Sequence, residues 1–184
     1  MSLDFVIREG EYSWTARTGI ASWVGYRDCG GPYGMPATEV QATGQFDIVF
    51  APEGRDDSPL KLEELATVEW LLSNEPRISE AVKAAIFAAY PGLRDEYGYS
   101  EEELAEFMPE LTSSEGLKKL IGLTAIHIHQ VAKDGIPYVG FELGCSWDPE
   151  HGVGLMMHDT RVVDLGGADS AILLWIAEQD RDGG

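Results

Sequence analysis

The stretch Gly140-Phe141-Glu142-Leu143-Gly144-Cys145-Ser146-Trp147-Asp148-Pro149-Glu150-His151-Gly152-Val153-Gly154-Leu155-Met156-Met157-His158 reads as strand, turn, strand. Phe141, Leu143 and Cys145 alternate with smaller or polar residues, the period of two that places side chains on opposite faces of a strand. Pro149 biases Asp148 toward an extended backbone, and the Asp148 carboxylate can accept nearby backbone N–H groups, so Trp147–Gly152 is a turn. Val153–His158 resumes the strand pattern. Trp147 is a large apolar anchor with one donor. Glycines at 140, 144 and 154, inside strands, mark bulges or the close approach of another chain segment.

Reading outward, Leu123–Val131 is rich in β-branched residues and stops at Asp134-Gly135, a hairpin turn that leads into Tyr138–Cys145. Asp159-Thr160 turns the chain again into Arg161–Leu165. The simplest arrangement of these four strands is an antiparallel meander. Asp169 then caps a short helix, Ser170–Glu178, with Ile172, Trp175 and Ile176 inward; the tail Asp180–Gly184 is polar. Upstream of the meander the pattern is helical. Ser58-Pro59 resembles an N-cap with proline at the first helical position, and Leu65, Val68, Leu71 and Leu72 recur at helical spacing. Ile78, Val82, Ala85, Ile86, Ala89 and Tyr90 continue it until Pro91-Gly92, read as a stop. Ser100 with Glu103 is a capping box ahead of Leu104, Phe107, Met108 and Leu111, and Thr112 with Glu115 is a second, opening a short helix through Leu117 and Leu120. In the first fifty residues Tyr12, Trp14 and Ala16 alternate as one strand between turns at Glu9-Gly10 and Thr18-Gly19. Ile20–Tyr26 is a second apolar run, Gly30–Pro36 is a loop, and Phe46, Ile48 and Phe50 are a further strand.

The fold class is therefore α+β: an antiparallel sheet system with a helical insertion packed on one face. One domain is expected over 1–184, made of an N-terminal β segment (1–52), the helical insertion (58–120) and a C-terminal β meander with a short helix (123–178). No internal repeat is visible. The 184 residues are 44% hydrophobic, enough for a sizeable core. Thirteen Lys and Arg stand against 32 Asp and Glu, a net charge of −19. Such a field repels phosphate backbones and anionic headgroups, which excludes nucleic acid and anionic membranes as partners and favours a basic protein or a metal cation. Residues 95–115 hold eight acids and no Lys or Arg, read as a solvated face before a partner site. Met1–Ile7 lacks a leader-like apolar run, and Ala171–Ala177 is too short to span a bilayer, so the expected location is cytoplasmic. Two cysteines, Cys29 and Cys145, make no disulfide framework.

The pattern W-D-x-E-H-G-x-G with a later histidine, carried by Trp147, Asp148, Glu150, His151, Gly152, Gly154 and His158, resembles a family of bacterial domains of unknown function. Arg161-Val162-Val163-Asp164-Leu165-Gly166 and Ala168-Asp169 continue the resemblance, which covers the last third of the chain. Relatives of that family sit among polymorphic-toxin immunity genes, so the resemblance implies kinship of fold and an immunity-like, protein-binding role.

Two site readings compete. In the first, Trp147, Asp148, Glu150, His151 and His158 form a binding motif, with no catalytic set and no cofactor, or a self-satisfied turn that fixes the hairpin. In the second, His127 and His129, on one face of a strand, combine with His151 and His158, helped by Asp148 or Glu150, to hold Zn or another divalent transition metal such as Mn or Fe. Against it, the histidines alternate with Ile126 and Ile128 as any polar residues could, and the spacing is not a metal-ligand signature. A Cys145–His151 thiol–imidazole pair is the weaker catalytic alternative, since Cys145 shares its strand face with Phe141 and Leu143. Gly152-Val153-Gly154 lacks the rest of a phosphate loop, and Gly166-Gly167-Ala168 is followed by the acid Asp169. Tyr26, Tyr33 and Met35 in or beside the Gly30–Pro36 loop are candidate contact residues. Three functions follow in order: a non-enzymatic protein-binding domain for a basic partner, a metal-dependent enzyme using the C-terminal histidines, and a structural accessory domain. The oligomeric state stays open.

Overall fold

Alternating β-branched and aromatic residues build seven strands in the computed structural model, which describes residues 3–7, 13–27, 44–54, 56 and 58–183. The strands are β1 (Val6–Ile7), β2 (Trp14–Gly19), β3 (Gln45–Phe50), β4 (Ile121–Lys133), β5 (Ile136–Cys145), β6 (Val153–His158) and β7 (Arg161–Gly166). They lie in sequence order in one sheet. Every neighbouring pair is antiparallel except β3–β4, which is parallel. That exception has a covalent cause: the helical insertion joins β3 to β4 across one face of the sheet, and a parallel pair needs such a crossover. The β4–β5 and β6–β7 joints are tight. Asp134 (φ 53°) and Gly135 (φ 76°) both adopt positive φ in the β4–β5 hairpin, the requirement of the turn read from the sequence.

The register shows how the faces are used. Ala16, Ile48, Ile126, Phe141, Leu155 and Leu165 stand side by side on six consecutive strands. This row packs under the insertion helix α1 (Leu62–Tyr97), whose buried stripe is Val68, Leu71, Ile78, Val82, Ile86 and Tyr90. Each such side chain withdrawn from water contributes about 1.5–3 kcal/mol, so this interface is the main source of stability. The opposite face carries the rows Thr15–Val49–His127–Gly140–Met156–Asp164 and Arg17–Asp47–Ala125–Glu142–Gly154–Gly166. There a smaller cluster of Val131, Tyr138 and Met156 packs against Ile176 and Ala177 of the C-terminal helix α3 (Leu174–Gly183). The molecule is α+β, with helices on both faces of the sheet.

Charged side chains are buried beneath α1 only as a connected set. Glu75 and Lys83 are 5% and 7% exposed. The Glu75 carboxylate accepts from the Ser79 and Ser22 hydroxyls, the Ser79 hydroxyl accepts from Trp23 Nε1 at 2.8 Å, and Lys83 Nζ donates to the Ser22 carbonyl at 2.7 Å. The network fastens Ala21–Trp23, a 3-10 turn, to the helix and satisfies groups that burial would otherwise penalise.

Several expected boundaries move. Helix α1 starts at Leu62, with Lys61 at the N-cap position, rather than at Ser58-Pro59. It passes through Pro76 and Pro91 and ends at Gly98 in the left-handed conformation (φ 62°), so Pro91-Gly92 is not its stop. A proline removes one intrahelical bond; both sit on the exposed side, and the buried stripe continuing to Tyr90 holds the helix together. The Ser100–Glu103 capping box opens α2 (Glu101–Phe107) as read, while Ser114–Lys119 is a 3-10 helix with Ser113 at its N-cap and no side-chain cap bond. Thr18 and Gly19 belong to β2 and are not a turn. Asp169 does not open α3: Ala168–Ala171 is a separate 3-10 turn, and α3 begins at Leu174. Glu9, Gly10, Tyr12, Cys29 and the loop Gly30–Pro36 with Tyr33 and Met35 lie outside the described residues.

Candidate functional site

The turn between β5 and β6 is built around one carboxylate. Asp148 Oδ1 accepts from the His151 backbone N–H (3.0 Å) and from His151 Nδ1 (3.0 Å), and Oδ2 accepts from the Tyr97 hydroxyl (3.0 Å). Its backbone carbonyl accepts from Gly152 N (2.8 Å) and from the Cys145 thiol (3.6 Å). Burial pushes the Asp148 carboxyl up, but the bonds from His151 and Tyr97 together outweigh it and leave it below the ordinary range. The same pair raises the His151 imidazole, mainly through its hydrogen bond to Asp148. Burial, and then the Asp148 bond, push the Tyr97 hydroxyl well above its usual value. Trp147 is buried edge-on against Tyr90, with ring centroids 5.6 Å apart, and its carbonyl accepts from the Tyr99 hydroxyl at 2.7 Å. Glu150 and His151 are exposed. Asp148 therefore joins the turn to the end of α1 and orients the exposed His151 imidazole through its Nδ1.

The glycines around this turn are fixed by close approach. A Cβ on Gly140 would lie 1.8 Å from the Ala171 carbonyl oxygen, and one on Gly154 would lie 2.5 Å from that of Gly167. Gly152 adopts φ 62°, and Ala168 N donates to the His151 carbonyl beside it (2.9 Å). The segment Gly167–Ala171 thus lies flat on the sheet, backbone against backbone, across the positions where β5 and β6 carry no side chain.

The histidines are dispersed. His127 and His129 share a sheet face, as the period of two requires. His127 Nε2 donates to Glu142 at 2.6 Å, and His129 Nε2 donates to the Ala171 carbonyl at 3.0 Å. Burial lowers the His129 imidazole to about 4, so it is neutral at neutral pH. His158 lies at the far end of β6 from His151, stacked on Tyr138 (centroids 4.7 Å), and its Nε2 donates to the Lys133 carbonyl at 3.1 Å. The structure brings together Trp147, Asp148, Glu150 and His151 but leaves His158 apart from them. It does not gather His127, His129, His151 and His158, and among the described residues no three His, Cys, Asp or Glu side chains converge as metal ligands. Cys145 is buried, with its thiol donating to the Asp148 carbonyl.

The feature that the sequence reading misplaced lies on α3. Ile172 and Trp175 were expected inward; they are 47% and 56% exposed, and Leu173 beside them is 38% exposed. The helix is nonetheless firmly seated. Asp180 accepts from both terminal nitrogens of Arg161 (3.0 and 2.6 Å) and from the Tyr138 hydroxyl (2.7 Å), and Lys133 Nζ donates to its carbonyl at 3.1 Å. The Arg161 guanidinium holds the Asp180 carboxyl down to about 2. Trp175 borders a groove of about 380 Å³ between α3 and the edge strand β7. The available signal was the late helix start: with 168–171 forming a separate turn, Trp175 falls on the first turn of α3, one position before the buried Ile176-Ala177 pair.

Among the described residues no helix is long and apolar enough to cross a membrane. A family model described as a domain of unknown function (DUF6985) matches residues 31–173, from before β3 to the threshold of α3. No curated protein and no solved structure matches the chain.

Proposed function

The chain belongs to the DUF6985 family of domains of unknown function, and we propose that it is a protein-binding domain whose partner is basic and docks on α3. One observation carries this reading: Trp175 is held exposed on a helix that Arg161, Tyr138 and Lys133 lock to the sheet, with Ile172 and Leu173 exposed just before it. A rigid exposed tryptophan amid aliphatic side chains is the kind of residue that anchors protein interfaces, and keeping it in water has no benefit to the fold itself. Asp164 borders the same groove as Trp175, within a chain of net charge −19, so a cationic partner is steered to it and an anionic one repelled. Inhibition of a basic toxin, the immunity-like role implied by the sequence resemblance, is a specific form of this reading.

The test compares wild-type chain with Trp175→Ala, both immobilised, against the cation-exchange-retained basic proteins of the source cell at moderate salt. A discrete protein retained by the wild type and lost with Trp175→Ala is the expected result. Equal retention on the two columns, or none on either, would contradict the reading.

A further inference from the structure

We propose that the partner engages as an added β-strand: an extended basic segment pairs with the outer edge of β7, its side chains falling alternately into grooves on the two faces of the sheet. The inference rests on the protein-binding reading above and specifies its mode. Strand β7 is the last of the sheet, and among the described residues no strand pairs with its outer edge. An open edge offers a row of N–H and C=O groups to an incoming chain.

What distinguishes this edge is its flanks. On the α1 face, Glu96 and Tyr97 with Leu165 and Gly166 border a groove of about 480 Å³ whose inner wall is Trp147 and Val153. On the α3 face, Trp175 and Gln179 with Val163 and Asp164 border one of about 380 Å³. Successive side chains of a strand point to opposite faces, so a strand laid beside β7 would send odd positions into one groove and even positions into the other. Past a bulge at Val163, β7 still presents residues to both faces. Val163 has no partner on β6 and packs toward α3, whereas Leu165 turns to α1.

Charge selects the occupant. Glu96 stands in the first groove and Asp164 in the second, where its carboxylate accepts only the neutral Ser170 hydroxyl (2.6 Å) among the contacts given for it. A second copy of this chain would bring its own charge of −19 to the same edge, so edge-to-edge self-pairing is opposed. A segment alternating cationic and aliphatic residues meets both the acids and the apolar walls.

The probe is a short capped peptide alternating lysine and valine, titrated into the full chain and followed by backbone amide NMR and hydrogen exchange. Three comparisons accompany it: the same peptide N-methylated at its central amides, a peptide of the same composition with the lysines and valines in separate blocks, and the Trp175→Ala chain. Strand addition predicts new exchange protection on β7, Arg161–Gly166, and at least about tenfold weaker binding of the N-methylated peptide, the cost of losing one or more backbone hydrogen bonds. It predicts a comparable loss for the block peptide. Equal binding of all three peptides, protection elsewhere than β7, no binding by the alternating peptide, or concentration-dependent dimers paired through β7 would each overturn it. If N-methylation has no effect but Trp175→Ala weakens every peptide, strand addition fails while docking on α3 stands. If Trp175→Ala also has no effect, both fail.

Discussion

Gly140 and Asp148 show what the most specific stretch of the sequence is for. Gly140 leaves room for the Ala171 carbonyl, and Asp148 ties its turn to Tyr97 and His151. The sequence reading anticipated both, since glycine inside a strand signals close approach, and an Asp-Pro turn supplies its own acceptor. Which segment approaches is not written locally, because that contact joins Gly140 to Ala171, far along the chain. Gly140→Ala is expected to destabilise the chain by about 1–3 kcal/mol, because the new methyl meets backbone and not a side chain that can swing away. Urea unfolding measures it, and an unchanged midpoint would show that the segment over Gly140 yields freely. His129 gives a second prediction at this scale. Its folded pKa, about 4, is depressed below the ordinary 6.5, so the unfolded chain binds the proton first as pH falls. Its contribution is complete above about pH 6.5 and is lost progressively down to about 4, of order 3 kcal/mol in all. His129→Asn should flatten the fall in stability between pH 7 and 4 relative to wild type; parallel curves would contradict the assignment.

At the scale of elements, strands were legible and helix ends were not. Apolar and β-branched runs at 123–131, 138–145 and 153–158, bounded by turn residues, identify β4, β5 and β6, whose two faces are both buried. Helix α1 was ended early, at Pro91-Gly92, because proline and glycine are normally terminators, yet the helix runs on to Tyr97, and its buried stripe from Val68 to Tyr90 also crosses Pro76. Ser73 and Asn74, just before Pro76, donate through their side chains to the Glu69 and Trp70 carbonyls (2.8 and 2.7 Å). Tertiary packing therefore overrides a local penalty that still exists. Pro76→Ala is expected to raise stability by roughly 1–3 kcal/mol, since the exposed ring makes no compensating buried contact. Thermal unfolding decides it, and a destabilised variant would mean that the proline sets a bend that α1 needs to cover the sheet. Helix α3 was misjudged for the opposite reason: residues 168–171 form a turn of their own, which shifts the helical phase and sends Trp175 outward.

At the scale of the whole molecule, the sheet separates two jobs. The row from Ala16 to Leu165 and the stripe of α1 make the main core, while the opposite face carries the glycine joint, the His127–Glu142 pair and the locked C-terminal helix. Fold class and charge were readable from composition and periodicity. The place of contact was not, because exposure of Trp175 depends on how α3 docks. The central claim is that binding lies on α3 and β7 rather than on the Trp147–His151 turn. The chain has five tryptophans, and three of them, Trp14, Trp23 and Trp147, are buried. Their indole N–H signals, followed while the alternating lysine–valine peptide is added, test the claim directly. The account predicts that the Trp175 signal moves and those of Trp14 and Trp23 hold still, with Trp147, which lines the α1-face groove, moving only together with Trp175; a moving Trp147 signal with Trp175 unchanged would contradict it.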